Sequence, residues 1–175
     1  MDIAHNPPAL AALAAKLRAE GVREPVIVAG LSRDKDLASV ISTLLQITPL
    51  SRLYFVEARH PRAAPTALLS AIAEDISRGG DGILEPAVVN ALVEQAAAEG
   101  RGDVAAGLGL ALEAAAAQGA PVVVCGTVFI MSDVRRALGV REPRDSDVLT
   151  GSLGSHMKDM QEYFRDASAG GSSAA

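Results

Sequence analysis

Apolar residues alternate between helical stripes and short unbroken runs from the N-terminus to about residue 140. Asn6-Pro7-Pro8 precedes Leu10, Leu13, Ala14 and Leu17. An amide side chain suits the cap, and proline at the first helical position gives up no needed donor, so this stretch predicts an amphipathic helix ending near Gly21. Residues 25–30 (PVIVAG) form a β-branched run between breakers and predict a strand covered on both faces. Helical spacing returns with Leu37, Val40, Ile41, Leu44 and Leu45, followed by a second strand over 53–56. After the loop His60-Pro61-Arg62-Ala63-Ala64, a helix opens at Pro65 with Leu68, Leu69, Ile72 and Ile76 on one stripe. Two more helical patterns follow. One opens at Pro86 with Val88, Val89, Leu92 and Val93; the other runs from about 103 to 118 on Val104, Leu108 and Leu112. A strand over 121–126 and a short helix carrying Val134, Ala137 and Leu138 complete the pattern at Gly139. This alternation predicts a parallel, doubly wound α/β sheet.

Composition narrows the picture. With 175 residues and a hydrophobic fraction of 49%, the chain can bury one sizeable core, and two full domains would be a squeeze. Residues 141–175 turn to Arg, Asp, Ser and Gly and read as a flexible, disordered polar tail, within which Met157, Met160, Tyr163 and Phe164 could form a transient helix. The 16 Lys+Arg against 21 Asp+Glu leave a net charge of -5, without the basic stripe that nucleic acid demands. Aromatic content is 3% with no Trp, a poor basis for stacking platforms. Cys125 is the single cysteine, so no intrachain disulfide forms. The Ala-rich stretch over 9–15 is interrupted by Lys16 and Arg18, so no targeting or membrane-spanning segment is visible.

Several common chemistries find no foothold. Lys16, Lys35 and Lys158 follow Ala15, Asp34 and Met157, so there is no Gly-Lys P-loop. Gly100-Arg101-Gly102-Asp103-Val104-Ala105 matches G-x-G-x-x-A in letters, yet it joins two helical patterns and reads as a loop. His5, His60 and His156 show no metal-ligand spacing, and no G-x-S-x-G elbow exists. Three clusters remain. Asp2-Ile3-Ala4-His5-Asn6-Pro7 sets an acid and an imidazole before a capped helix, a place that favours anions, although capping alone also accounts for it. Gly30-Leu31-Ser32-Arg33-Asp34-Lys35-Asp36 lies where a parallel strand ends, the edge at which ligands bind in open α/β sheets, although it also suits a solvated helix start. Cys125-Gly126-Thr127 follows the last strand, with Gly permitting close backbone approach, Thr offering a hydroxyl and Cys125 reading as a small apolar core residue.

Together these clusters resemble motifs of the folylpolyglutamate synthase and dihydrofolate synthase family of the Mur ligase superfamily, in its C-terminal domain, over roughly residues 1–140. The first is similar to D-[GV]-A-H-N-P, the second to G-x-x-x-D-K-D, the His60-Pro61-Arg62-Ala63 loop to P-R-A and the third to C-G-S. The resemblance implies a Rossmann-like, mostly parallel sheet flanked by helices. It implies an ATP-dependent amide ligase that adds L-glutamate to folate or dihydropteroate through an acyl phosphate, with ATP and Mg2+ bound mainly by a central ATP-binding domain. By the same resemblance Asp2, His5 and Asn6 face the nucleotide, Lys35 and Thr127 hold the incoming glutamate, and Arg33 and Arg62 are candidates for lining the cleft. No catalytic residue and no metal ligand is assigned to this chain.

Two departures from the pattern are Ile3, expected to turn its side chain into the core, and Thr127 in place of Ser. Met1 stands where the family has the strand that delivers Asp2. The resemblance therefore implies a piece of the enzyme, without that strand and without the P-loop, and inactive alone. The alternative is a non-catalytic nucleotide- or partner-binding α/β module. The expected compartment is the cytoplasm, or a mitochondrion or plastid if a targeting peptide precedes the chain. The segment 79–102 is longer than the family's usual connection and has no assigned function.

Overall fold

The structure, a computed structural model, describes residues 1–99 and 103–140. Three parallel strands, β1 (Val26–Gly30), β2 (Leu53–Phe55) and β3 (Val122–Gly126), form one sheet in the order β2-β1-β3. Ile27 lies in register with Leu53 on one side and Val123 on the other. Every residue of β1 is buried. A central strand paired along both edges and covered on both faces has no wet side, which is why its sequence is an unbroken apolar run.

Successive side chains of β1 point to opposite faces and divide the core in two. Ile27 and Ala29 pack with Cys125 beneath α1 (Pro7–Ala19), α2 (Leu37–Leu45) and α3 (Thr66–Ser77). α4 (Pro86–Glu99) lies on α3 and adds Val89 and Leu92 to the edge of that cluster. On the other face Val26, Val28 and Val124 pack with α5 (Val104–Gln118) and α6 (Met131–Ala137). The sheet is therefore doubly wound, with α4 stacked outside α3.

Local chemistry explains the helix starts. Asn6 caps α1, its side-chain oxygen accepting from Ala9 N–H at 2.9 Å, with Pro7 at the first position. Asp36 caps α2, accepting from Ser39 N–H at 3.0 Å and from the Ser39 hydroxyl at 2.6 Å, and these bonds hold its carboxyl below the usual aspartate range. Asp103 caps α5 through Ala105 N–H at 2.8 Å.

Two expectations are corrected. Leu112 is not on the buried stripe of α5: it is 41% exposed, while Ala111 and Ala115 complete the stripe begun by Val104 and Leu108. Ile3 does not enter the core; it is exposed, and Ala4 is the buried residue of that segment. An extended backbone turns neighbouring side chains to opposite sides, so only one of the two can face inward. Among the described residues no helix is long and apolar enough to cross a membrane. The predicted tail over 141–175, with its Met157-to-Phe164 pattern, and the Gly100-Arg101-Gly102 link lie outside the described residues.

Candidate functional site

Parallel strands end at one edge, so the loops after β1, β2 and β3 meet there. They are tied to one another by backbone bonds. Thr127 N–H donates to the Gly30 carbonyl at 2.7 Å, Ala64 N–H to Leu31 at 2.9 Å, and Arg33 N–H to Arg62 at 2.8 Å. The contact between the first and third loops is possible because Gly126 has φ +115°, and a Cβ there would stand 2.1 Å from the Gly30 oxygen. The N-terminal segment joins the edge beside β3, where Asp2 N–H donates to the Val124 carbonyl at 2.9 Å.

Between these loops lies a pocket of about 200 Å3 with His5, Ser32, Lys35, Arg62 and Thr127 as its polar lining and Ile3, Val128 and Phe129 as its apolar lining. Ser32 and Thr127 are only 5% and 6% exposed. Buried hydroxyls beside a lysine and an arginine make a short-range, directional site for an anion of carboxylate size. The Thr127 hydroxyl accepts from Phe129 N–H at 3.4 Å, which leaves its own O–H to donate. His5 Nδ1 lies 2.8 Å from the Ile3 carbonyl and donates to it, because a carbonyl can only accept. Nε2 is then the ring's remaining polar atom, an acceptor in the neutral ring and a donor in the imidazolium.

Arg62 extends across the pocket edge to Asp34, with 2.6 Å between guanidinium and carboxylate. The Arg62 guanidinium holds the Asp34 carboxyl below its usual range. The fork has five N–H donors, so this pair does not exhaust it.

The structure thus brings together His5, Lys35, Arg62 and Thr127 from the sequence-predicted set. Asn6 is committed to capping through its side-chain oxygen, and Asp2 is exposed at the edge of β3. Arg33 turns away from the pocket lining and donates to the Pro61 carbonyl. Ser32, Val128 and Phe129 were not singled out by sequence. Ser32 carried a signal, since it sits inside the Gly30-to-Asp36 cluster; Phe129 became visible only when the loop after β3 folded back over the edge. A larger cavity of about 350 Å3, lined by Leu17, Arg18, Arg23 and Glu24, lies at the amino end of the strands and includes none of the predicted residues. Among the described residues no three His, Cys, Asp or Glu side chains converge as a metal site.

No protein-family model matches the sequence, and no curated protein matches it. Among solved structures the chain is similar to Mycobacterium tuberculosis folylpolyglutamate synthase complexed with ADP and AMPPCP, at 25% identity and a TM-score of 0.51. It resembles a folylpolyglutamate synthase. The match covers 82% of this chain and 30% of the mycobacterial synthase, so the chain spans about 30% of that protein's length. A second match is the bifunctional folylpolyglutamate synthase/dihydrofolate synthase from Yersinia pestis, at 21% identity and a TM-score of 0.46 over 79% of this chain and 28% of that one. The three-stranded parallel sheet flanked by helices is the part shared with the mycobacterial synthase.

Proposed function

We propose that this chain is the C-terminal, glutamate- and ATP-side domain of an ATP-dependent amide ligase that adds L-glutamate to folate or dihydropteroate by way of an acyl phosphate. The observation that carries this reading is the pocket itself. A 200 Å3 space at the carboxyl edge of the sheet collects Lys35, Arg62, Ser32, Thr127 and His5, and the similarity to a synthase complexed with ADP and AMPPCP supplies the reaction class.

The chemistry of these side chains suits an amino acid. The Lys35 ammonium and the free N–H groups of Arg62 attract a carboxylate, while the Ser32 and Thr127 hydroxyls fix its orientation with little solvent competition. His5 sits at the rim where the N-terminal segment enters. A glutamate held by its carboxylates keeps its amine free to attack an activated acyl group. Converting an encounter between two substrates into a positioned one is the contribution such a domain makes.

ATP fits this chain only as a neighbour: there is no Gly-Lys P-loop, and Asn6 uses its side-chain oxygen in the cap. Mg2+ does not fit the described residues, which hold no converging ligand set. Both belong, in this reading, to a central ATP-binding domain, and the energy that activates the acyl group comes from the nucleotide there.

The test is a two-dimensional amide NMR titration of the chain with L-glutamate. The expected result is a saturable response at Ser32, Lys35 and Thr127, weakened about tenfold or more in Lys35→Ala, the effect of losing a charge-assisted contact. A wild-type response no larger than that to sodium chloride at equal ionic strength would refute the reading. If ADP bound and glutamate did not, the chain would be a non-catalytic nucleotide-binding module.

A further inference from the structure

His60 and Phe129 come from different loops and stack face to face, with ring centroids 3.6 Å apart and planes inclined by 8°. Phe129 lines the pocket, and His60 lies two residues before Arg62, which also lines it. The His60 ring has a second engagement. Its Nδ1 lies 3.2 Å from the Arg62 backbone nitrogen, and since an amide N–H can only donate, Nδ1 must be the unprotonated acceptor and Nε2 must carry the proton. This is the bond an Asn or Asp side chain makes in an Asx turn, reaching the N–H two residues on. The loop is held from its other side as well, by Arg33 donating to the Pro61 carbonyl and by Arg62 pairing with Asp34.

We propose that His60 is a positioning residue for the pocket: its ring, stacked on Phe129 and accepting the Arg62 N–H, joins the loop after β2 to the loop after β3 and holds Arg62 at the pocket edge, ready for a substrate carboxylate. The carboxylate part of this inference rests on the ligase reading above; the latch itself does not. Stacking alone would place the ring and leave the Arg62 backbone free to turn. The hydrogen bond alone would order a short turn without anchoring it to β3. The two together fix both ends of the lever that carries the guanidinium.

Two substitutions separate these contributions. His60→Phe retains an aromatic ring for the stack and removes the acceptor, whereas His60→Asn removes the ring and restores an acceptor for the same N–H. In the full chain without ligand, the His60 nitrogen spectrum is expected to show a bare Nδ1 and a protonated Nε2. The Arg62 amide is expected to exchange with solvent roughly tenfold faster in His60→Phe than in wild type, the effect of one lost hydrogen bond, and His60→Asn is expected to recover most of that protection. Titration with L-glutamate should then weaken about tenfold in His60→Phe at unchanged melting temperature, and it should stay weakened in His60→Asn, which orders the turn without anchoring it to the loop after β3; full recovery there would overturn the role of the stack. A protonated Nδ1 overturns the latch, as does an Arg62 amide that exchanges equally in wild type and His60→Phe. Wild-type indifference to glutamate, with the amide pattern as expected, instead overturns the ligase reading and leaves the latch standing. Unchanged glutamate affinity in a folded His60→Phe, with wild-type binding intact, overturns the link between latch and substrate.

Discussion

Gly126 is the residue on which the functional edge most directly depends. Its φ of +115° and the 2.1 Å separation between a hypothetical Cβ and the Gly30 oxygen allow no side chain. Gly126→Ala is therefore expected to cost about 3 kcal/mol of stability or more, measured by urea unfolding, because backbone strain and a clash with the central strand add. The neighbouring Cys125 makes a pH-dependent contribution. Burial, reinforced by the negative charge of Asp2, pushes its thiol up to about 12 from an ordinary value of 9.0. The folded state therefore favours the protonated thiol. This contribution is complete below pH 9 and is lost as pH rises from there toward 12. Urea midpoints should fall more steeply with alkali in wild type than in Cys125→Ala within that window, and parallel curves would count against it. The buried thiol should also ignore a disulfide reagent near neutral pH until the chain unfolds.

At the scale of the element, α1 and α5 show what hydrophobic periodicity can and cannot resolve. In α1 the predicted stripe of Leu10, Leu13, Ala14 and Leu17 is the buried one, since cap, proline and large apolar residues all agree. In α5 the large residues mislead. From Val104, position 111 returns to within about 20° of the same direction and position 112 is about 80° away, at 100° per residue. Ala111 therefore faces the sheet, where its small side chain lets the helix approach closely, and Leu112 faces outward. Leu108, only 2% exposed, should cost about 2–5 kcal/mol on truncation to Ala. Leu112→Ala should cost less than about 1 kcal/mol, and thermal unfolding of the two variants side by side decides the assignment.

At the scale of the molecule, the proposed function depends on three loops arriving at one edge, which a parallel sheet guarantees and an antiparallel one would not. His5, Lys35, Arg62 and Thr127 are spread over more than a hundred residues of sequence and share one pocket. In the proposed reading that pocket holds and orients a small acid, but the chain has no P-loop with which to cradle a triphosphate. The purified chain is therefore expected to show no glutamate-dependent ATP turnover in a coupled phosphate-release assay, even where glutamate binds. Turnover above the buffer control would mean that this edge supports the phosphoryl chemistry by itself.

The strand runs, the cap of the first helix and the order of the elements were determined by the sequence alone, because each rests on neighbours within a few residues: β-branched runs between breakers and Asn6 before Pro7. Its charged and hydroxyl clusters also marked the edge where the pocket forms, through the rule that loops after parallel strands face ligands. What only the tertiary structure decided is which of those residues meet. Arg33 and Arg62 were both candidates for lining the cleft, yet one is turned to the Pro61 carbonyl and the other lines the pocket. Ile3, expected to face the core, is exposed, and its neighbour Ala4 is buried instead. The His60–Phe129 stack joins residues separated by most of the second half of the fold. Such pairings depend on the register of β1 with both neighbours, which lies beyond the reach of a local pattern, and on the close approach at Gly126, whose partner Gly30 only the fold supplies.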